Sequence, residues 1–230
     1  MTKTAEGIRS KGRKAQGEET RRKLLLTGAK LFALQGFNGV SMRELVREAD
    51  VNLATVSYHF GGKAGLYEAI LDYIIERREE LFPKDAIIQK KIAEANGDPH
   101  ALSDVLGWFV DYYMHGILSE PATNLAVLII LRELANQSEF FPKLEKHFFD
   151  PSFRTLGSLL AAAMPGISQR ERYVVGHAII GMCLKFVDAH PVIRKQLGCE
   201  KYGPEEIDLI AQVLSTRIRL FVGLPEGNRQ

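Results

Sequence analysis

Residues 41–63, SMRELVREADVNLATVSYHFGGK, bring hydroxyl, guanidinium, phenol, imidazole and ammonium groups together around two short apolar stripes. Ser41 followed by Glu44 has the spacing of a capping box, so a helix is expected from Met42. Met42, Leu45, Val46 and Ala49 recur at helical spacing and give that helix one apolar face. Asp50, Val51 and Asn52 break the pattern, and Asn52 is a good N-cap for a second helix. In that second helix Leu53, Val56 and Phe60 are expected to face inward, leaving Ala54, Thr55, Ser57, Tyr58 and His59 outside. Two helices joined by so tight a turn can push the second into the major groove of DNA. An outward face of hydroxyls, a phenol and an imidazole, with no acid, suits a phosphate-lined groove. An ordinary hairpin in a helical bundle shares this pattern, so the neighbouring segments have to decide.

Upstream, Glu18 to Gln35 reads as a helix with Leu24, Gly28, Leu31 and Phe32 on one stripe and Gly36 in the terminating position. The run from 18 to about 75 then resembles the N-terminal domain of the TetR family of bacterial transcription regulators. The resemblance is carried by Ala29–Phe32, Gly36–Phe37, Ser41, Arg43, Ala49 and Val51, and is completed by Thr55, His59, Phe60, Lys63 and Leu66. Asp50 stands where that family usually has a turn glycine, Ser57 where a tyrosine is common, and Leu53-Ala54 replaces a more polar pair. No operator sequence therefore carries over. The resemblance implies a three-helix DNA-binding head over 18–63, with Arg43 and Thr55, and Tyr58 beside them, contacting base edges. It implies phosphate contacts for Ser41, Ser57, His59 and Lys63.

The charge distribution agrees with a nucleic-acid partner. The net charge of +2 hides a balance of +6 over residues 1–63, from 12 Lys/Arg against 6 Asp/Glu, and −4 over the remainder. A basic head on an acidic body is what a DNA-binding domain fused to a non-binding one should show. Residues 1–17, with Lys3, Arg9, Lys11, Arg13 and Lys14 among Gly, Ser and Thr, are expected to form a disordered basic arm. Such an arm could add phosphate or minor-groove contacts once the head is docked.

A chain of 230 residues with 46% hydrophobic content can bury one sizeable core or two modest ones. The longest apolar run, Leu125–Leu131, is far too short to span a bilayer, and the charged N-terminus has no apolar export region. Two cysteines, Cys183 and Cys199, make a poor disulfide framework. A cytoplasmic protein without a membrane partner is the expectation.

Beyond the head the pattern is all-α. A long helix is expected from Lys63 to about Leu81, ended by Pro83 and shared between head and body, which would couple the two mechanically. Further helices are expected near 85–96, 101–118, 122–137, 140–163, 168–188 and 204–222, making residues 64–225 a helical ligand-binding and dimerisation domain. This layout resembles CecR-type members of the same family, on Tyr58-His59-Phe60-Gly61 and on Gly176–Gly198 with Phe186, Arg194, Leu197 and Gly198. That resemblance implies a homodimer through 168–188 and 204–222. Gly176 and Gly181 inside one of these helices, and the stripe Ile207, Ile210, Leu214, Ile218 and Phe221 on the other, are consistent with it.

Trp108, Phe109, Tyr112, Tyr113 and His115 place polar-edged aromatics on one helix and are the candidate small-molecule contacts, though core packing explains the same residues. Catalytic signatures are missing. Gly61-Gly62-Lys63 lacks the spacing of a phosphate loop, and the six histidines form no metal-ligand pair, so no enzyme, cofactor or metal is expected. The function expected is a repressor released from a pseudo-palindromic DNA operator by a small-molecule effector. The competing reading is a helical carrier or adaptor with no DNA role, which leaves the basic head unexplained.

Overall fold

Local capping chemistry sets the start of the first elements. The computed structural model describes residues 3–226, and among these there is no strand. The first helix, α1 (Lys3–Gly39), is regular until Gly36, whose φ of 72° and ψ of 172° break it at the position read as its terminator. α1 already begins at Lys3, where a disordered arm was expected over 1–17. Extending an existing helix needs no new nucleus, and the Lys, Arg, Ala, Gln and Glu of this stretch are good helix formers. Met1 and Thr2, and the side chains of Lys3, Arg9, Lys11, Arg13 and Lys14, lie outside what is described.

α2 (Met42–Ala49) is capped by the Ser41 hydroxyl, which accepts the Glu44 N–H at 3.1 Å. Only half of the expected box is made, because the Glu44 carboxylate instead takes the Gln35 side-chain amide at 2.7 Å. Asp50 closes α2 in the left-handed region, φ 49° and ψ 55°, a conformation an aspartate tolerates better than most side chains. α3 (Leu53–Phe60) starts from Asn52, whose side-chain oxygen accepts the Thr55 N–H at 2.8 Å and the Thr55 hydroxyl at 2.9 Å. α4 (Lys63–Glu76) follows directly.

One compact unit comprises the chain up to Ile74 together with Ile129–Phe141, so it extends past the 63/64 boundary read from the sequence. The reason is the apolar face of α4: Leu66, Tyr67, Ile70 and Leu71 are buried in one core with Leu24, Phe32, Leu45 and Val56. The returning segment 129–141, which includes the end of α7 (Pro121–Ala135), fastens itself to that core. Arg132 donates to the carbonyls of Ala33 and Leu34, Tyr67 donates its hydroxyl to Glu133 at 2.5 Å, and Phe140 stacks edge-on against Phe37 and Tyr67.

The second unit comprises Ile75–Leu128 and the chain from Pro142. The helix expected to reach Leu81 stops at Glu76, and a tighter 3-10 turn, Arg78–Glu80, takes over. That turn delivers Phe82 into the core, where its ring meets Tyr113 at 4.9 Å, Phe148 at 6.1 Å and Phe109 at 6.2 Å. Then come α5 (Asp85–Ala95), α6 (Pro99–Leu118), α8 (Phe141–Leu144) continuing through a π turn (Glu145–Phe149) into α9 (Asp150–Ala163), and α10 (Gln169–Asp188). α11 (His190–Leu197) was not anticipated, and α12 (Pro204–Phe221) closes the unit. Ile207, Ile210 and Ile218 of α12 are buried against α6 within the same chain, whereas Phe221 of the predicted stripe is exposed.

Candidate nucleic-acid interface

The two caps fix which side chains of α2 and α3 are offered to solvent. Ser41 and Arg43 are exposed at the start of α2, and Ser57 and Tyr58 are exposed on α3, Tyr58 at 85%. Thr55 and His59 are half-buried. Thr55 keeps its hydroxyl oxygen as an acceptor while its proton goes to Asn52, and His59 lies between the rings of Tyr58 and Phe60 at 5.1 and 6.2 Å. Five of the seven residues expected to touch DNA thus lie on α2 and α3 of the head and a sixth, Ser41, caps α2, each at least partly exposed.

The seventh, Lys63, departs from its expected role. Its ammonium is turned inward, donating to the carbonyls of Phe37 and Val40 at 3.0 Å each and lying 4.3 Å from the Phe37 ring centroid. The kinked end of α1 leaves those carbonyls without helical partners, and a cation satisfies them better than a neutral donor. Lys63 therefore holds the corner between α1 and α4.

Leu53 also differs from expectation, being 55% exposed. Its Cα–Cβ bond tilts toward the helix N-terminus, and as the first residue of α3 it has no preceding turn to cover it. Sequence reasoning missed two further features. An open groove of about 580 Å³ is lined by Gln16, Gly17 and Thr20 of α1 together with Asn52, Thr55 and Tyr58. Gly65, in the first turn of α4, lets the backbone pass so close to α3 that a Cβ there would lie 1.8 Å from the Phe60 carbonyl oxygen.

The aromatic candidates of the second unit are divided between its core and its partly exposed surface. Phe109 and Tyr113 are buried core, and burial pushes the Tyr113 phenol far above its ordinary range. Trp108 stacks with Tyr112 and receives the Lys91 ammonium at 4.5 Å, while the Tyr112 hydroxyl donates to the Glu79 carbonyl. His115 bridges the Asp111 carbonyl and the Asp208 carboxylate, at 2.9 Å each. Burial pushes the Cys183 thiol up to about 12, so it is an inert core group, and Cys199 is also free. Among the described residues no group of three or more His, Cys, Asp or Glu could hold a metal ion, and no single helix is long and apolar enough to cross a membrane.

A capped two-helix motif on a small basic unit, followed by an all-helical second unit, defines a DNA-binding protein of the helix-turn-helix class. Residues 24–70 match the description "Bacterial regulatory proteins, tetR family", and residues 102–223 match "HTH-type transcriptional dual regulator CecR, C-terminal domain". The chain belongs to the TetR family of transcriptional regulators, with a C-terminal domain of the CecR kind. It is 24% identical over 209 residues to the HTH-type transcriptional dual regulator CecR of Shigella flexneri, covering 90% of this chain and 93% of that one. It is 42% identical over 57 residues to the probable HTH-type transcriptional regulator YttP of Bacillus subtilis (strain 168), covering 25% and 28% of the two chains. The crystal structure of AibR in complex with isovaleryl coenzyme A and operator DNA shares the fold, with a TM-score of 0.60 and 19% identity over 86% of this chain and 97% of that one. These relatives are regulators, not enzymes, and this chain is a DNA-binding transcriptional regulator.

Proposed function

We propose that the chain is a dimeric, cytoplasmic repressor that leaves a pseudo-palindromic operator when a small molecule binds its second unit. The observation that carries the reading is the exposed face of α3, with Ser57 and Tyr58 beside Thr55, next to Ser41 and Arg43 on a basic head. Arg43, Thr55 and Tyr58 would meet base edges, and the exposed Leu53 adds an apolar surface suited to a thymine methyl. Ser41, Ser57 and His59 would bind phosphates and set register, with the groove between α1 and α3 taking the backbone of one strand. Lys63 contributes by position.

A single recognition helix touches few base pairs, so two-fold pairing is favoured on geometric grounds. The surface for it is an apolar row on α12, Leu209, Val213 and Leu220, each 45–50% exposed, together with Val174 and the open Gly181 of α10. Gly176, by contrast, packs against Leu156 and Leu160 of its own chain.

Ligand control is supported by the fold shared with AibR, whose structure holds both an acyl-coenzyme A and operator DNA. The last residues of α7 are fastened within the head unit by Arg132 and Glu133, with Phe140 beyond the helix end, while its first residues belong to the second unit. A ligand that favours another position of α7 would shift the population of head arrangements. Retention on duplex DNA followed against salt tests the reading. Neutralising several phosphates should cost orders of magnitude in affinity over a few-fold rise in salt, and a flat dependence contradicts it.

A further inference from the structure

The second unit encloses a cavity of about 420 Å³ between the α6–α7 turn, the end of α10, α11 and the start of α12. Three basic side chains line it, His190, Arg194 and Lys201, and among the described residues no carboxylate does. Two acids of the flanking helices are already paired, Asp188 with Lys185 at 2.8 Å and Glu206 with the Gly203 N–H at 2.8 Å. Arg194 is held rigidly, its Nε donating to the His190 carbonyl at 3.3 Å and its Nη1 to the Glu200 carbonyl at 2.6 Å, which leaves Nη2 for a ligand oxygen. His190 Nδ1 is fixed on the Val187 carbonyl at 2.8 Å, leaving Nε2.

Tyr202 adds an independent sign. Its side chain lines this cavity while its hydroxyl is shielded and has no hydrogen-bond partner, a costly arrangement that a turn of the side chain toward a bound acceptor would relieve. Burial and the neighbouring Cys199 raise its pKa, against a smaller opposing effect of Arg194, so the phenol stays a donor. The remaining wall is mixed: Leu118, Leu128, Phe186 and Val187 give it apolar surface, and Ser119 and Asn124 add neutral polar groups. A fixed guanidinium, a lysine and an unsatisfied phenol, with aliphatic and aromatic surface in the same cavity, select a molecule that is both anionic and apolar. The volume suits a small organic molecule.

We infer that this pocket binds a small organic anion, a carboxylate or phosphate monoester carrying an apolar chain, with Arg194, Lys201 and Tyr202 holding the acidic head. The inference rests on the reading of the second unit as the ligand-binding part, and it places the ligand away from the aromatic row of α6.

The test is titration calorimetry on the full chain with octanoate, octyl phosphate, octanol and octyltrimethylammonium. Saturable binding of either anion, with octanol at least about tenfold weaker and the ammonium silent, supports the pocket, and the better anion identifies the head group. Lys201→Ala and Tyr202→Phe should each weaken the anion about three- to tenfold, the first leaving the melting temperature unchanged and the second leaving it unchanged or raising it. Octanol binding as tightly as the anions, no anion binding at all, or anion affinity indifferent to both variants would each overturn the inference. The two readings fail separately. Anion binding that leaves DNA retention untouched sinks ligand control but supports the pocket, and salt-sensitive DNA binding with no anion uptake sinks the pocket while leaving the DNA-binding reading intact.

Discussion

The Lys63 ammonium lies 4.3 Å from the ring centroid of Phe37 and 3.0 Å from the carbonyl oxygen of the same residue. With Val40 as its second acceptor, one side chain at the start of α4 ties off the kinked end of α1. Lys63→Ala should cost the head about 1–3 kcal/mol, because it strands two partly buried carbonyls. DNA affinity should fall on every sequence alike, with the salt slope unchanged. A slope smaller by about one would show instead that the lysine neutralises a phosphate.

Arg43 is exposed in the first turn of α2. Arg43→Ala should cost about 1–3 kcal/mol of operator affinity and relax preference at one base of each half-site. Equal weakening on operator and random duplexes would move this arginine from base readout to the backbone.

Gly65 is needed for the close approach of α4 to the end of α3, since an added Cβ would sit 1.8 Å from the Phe60 carbonyl oxygen. Gly65→Ala should destabilise the head by about 1–3 kcal/mol or more and displace the recognition helix, so DNA binding should fall further than stability alone explains. Gly157 in α9 has open space around it, and Gly157→Ala should be neutral or stabilise by up to about 1 kcal/mol. Thermal melts and duplex titrations of the two variants side by side check both halves of this expectation.

Glu133 is 2% exposed, and its carboxylate accepts the Tyr67 hydroxyl as well as the N–H and hydroxyl of Ser138. Burial, then the hydrogen bond and charge of Glu133, push the Tyr67 phenol far above its ordinary range, so it remains a donor. Tyr67→Phe should cost about 1–3 kcal/mol by leaving a buried carboxylate oxygen short of a partner. Paired with Glu133→Gln in a double-mutant cycle the effects should be non-additive, and simple additivity would mean the bond contributes nothing.

His115 gives the second unit a pH dependence. Burial disfavours the charged ring, but the Asp111 carbonyl, the Asp208 carboxylate and the charges of both aspartates outweigh it, so its pKa is raised above 6.5. The stabilisation is therefore fully present below pH 6.5 and lost as pH rises through the higher folded-state value. The ring is 39% exposed, so the effect should stay under about 1 kcal/mol. The melting-temperature gap between the native chain and His115→Gln should narrow as pH rises from about 5.5 to about 9. A gap that widens would reverse the assignment.

What could be read ahead of the structure was local. Ser41, Asn52 and Gly36 act within four residues of themselves, so spacing alone located their helix ends. Lys63 could not be read this way, because its acceptors lie 23 and 26 residues upstream and only the folded corner presents them. The aromatic row on α6 is of the same kind: which of those rings could meet a ligand depends on the elements packed around them, not on their own spacing. The cavity itself is assembled from residues up to 86 positions apart, Leu118 to Pro204. α11 left a legible signal, Pro191 in its first turn and Gly198 at its end, that helical periodicity did not strengthen.

Selection of bound duplexes from a random pool by the purified full-length chain tests the central claim most directly. The account predicts enrichment of a pseudo-palindromic sequence whose half-sites are read by Arg43, Thr55 and Tyr58, with preference lost at particular bases in the Arg43→Ala variant. Failure to enrich any sequence at low ionic strength and without added small molecules would contradict it.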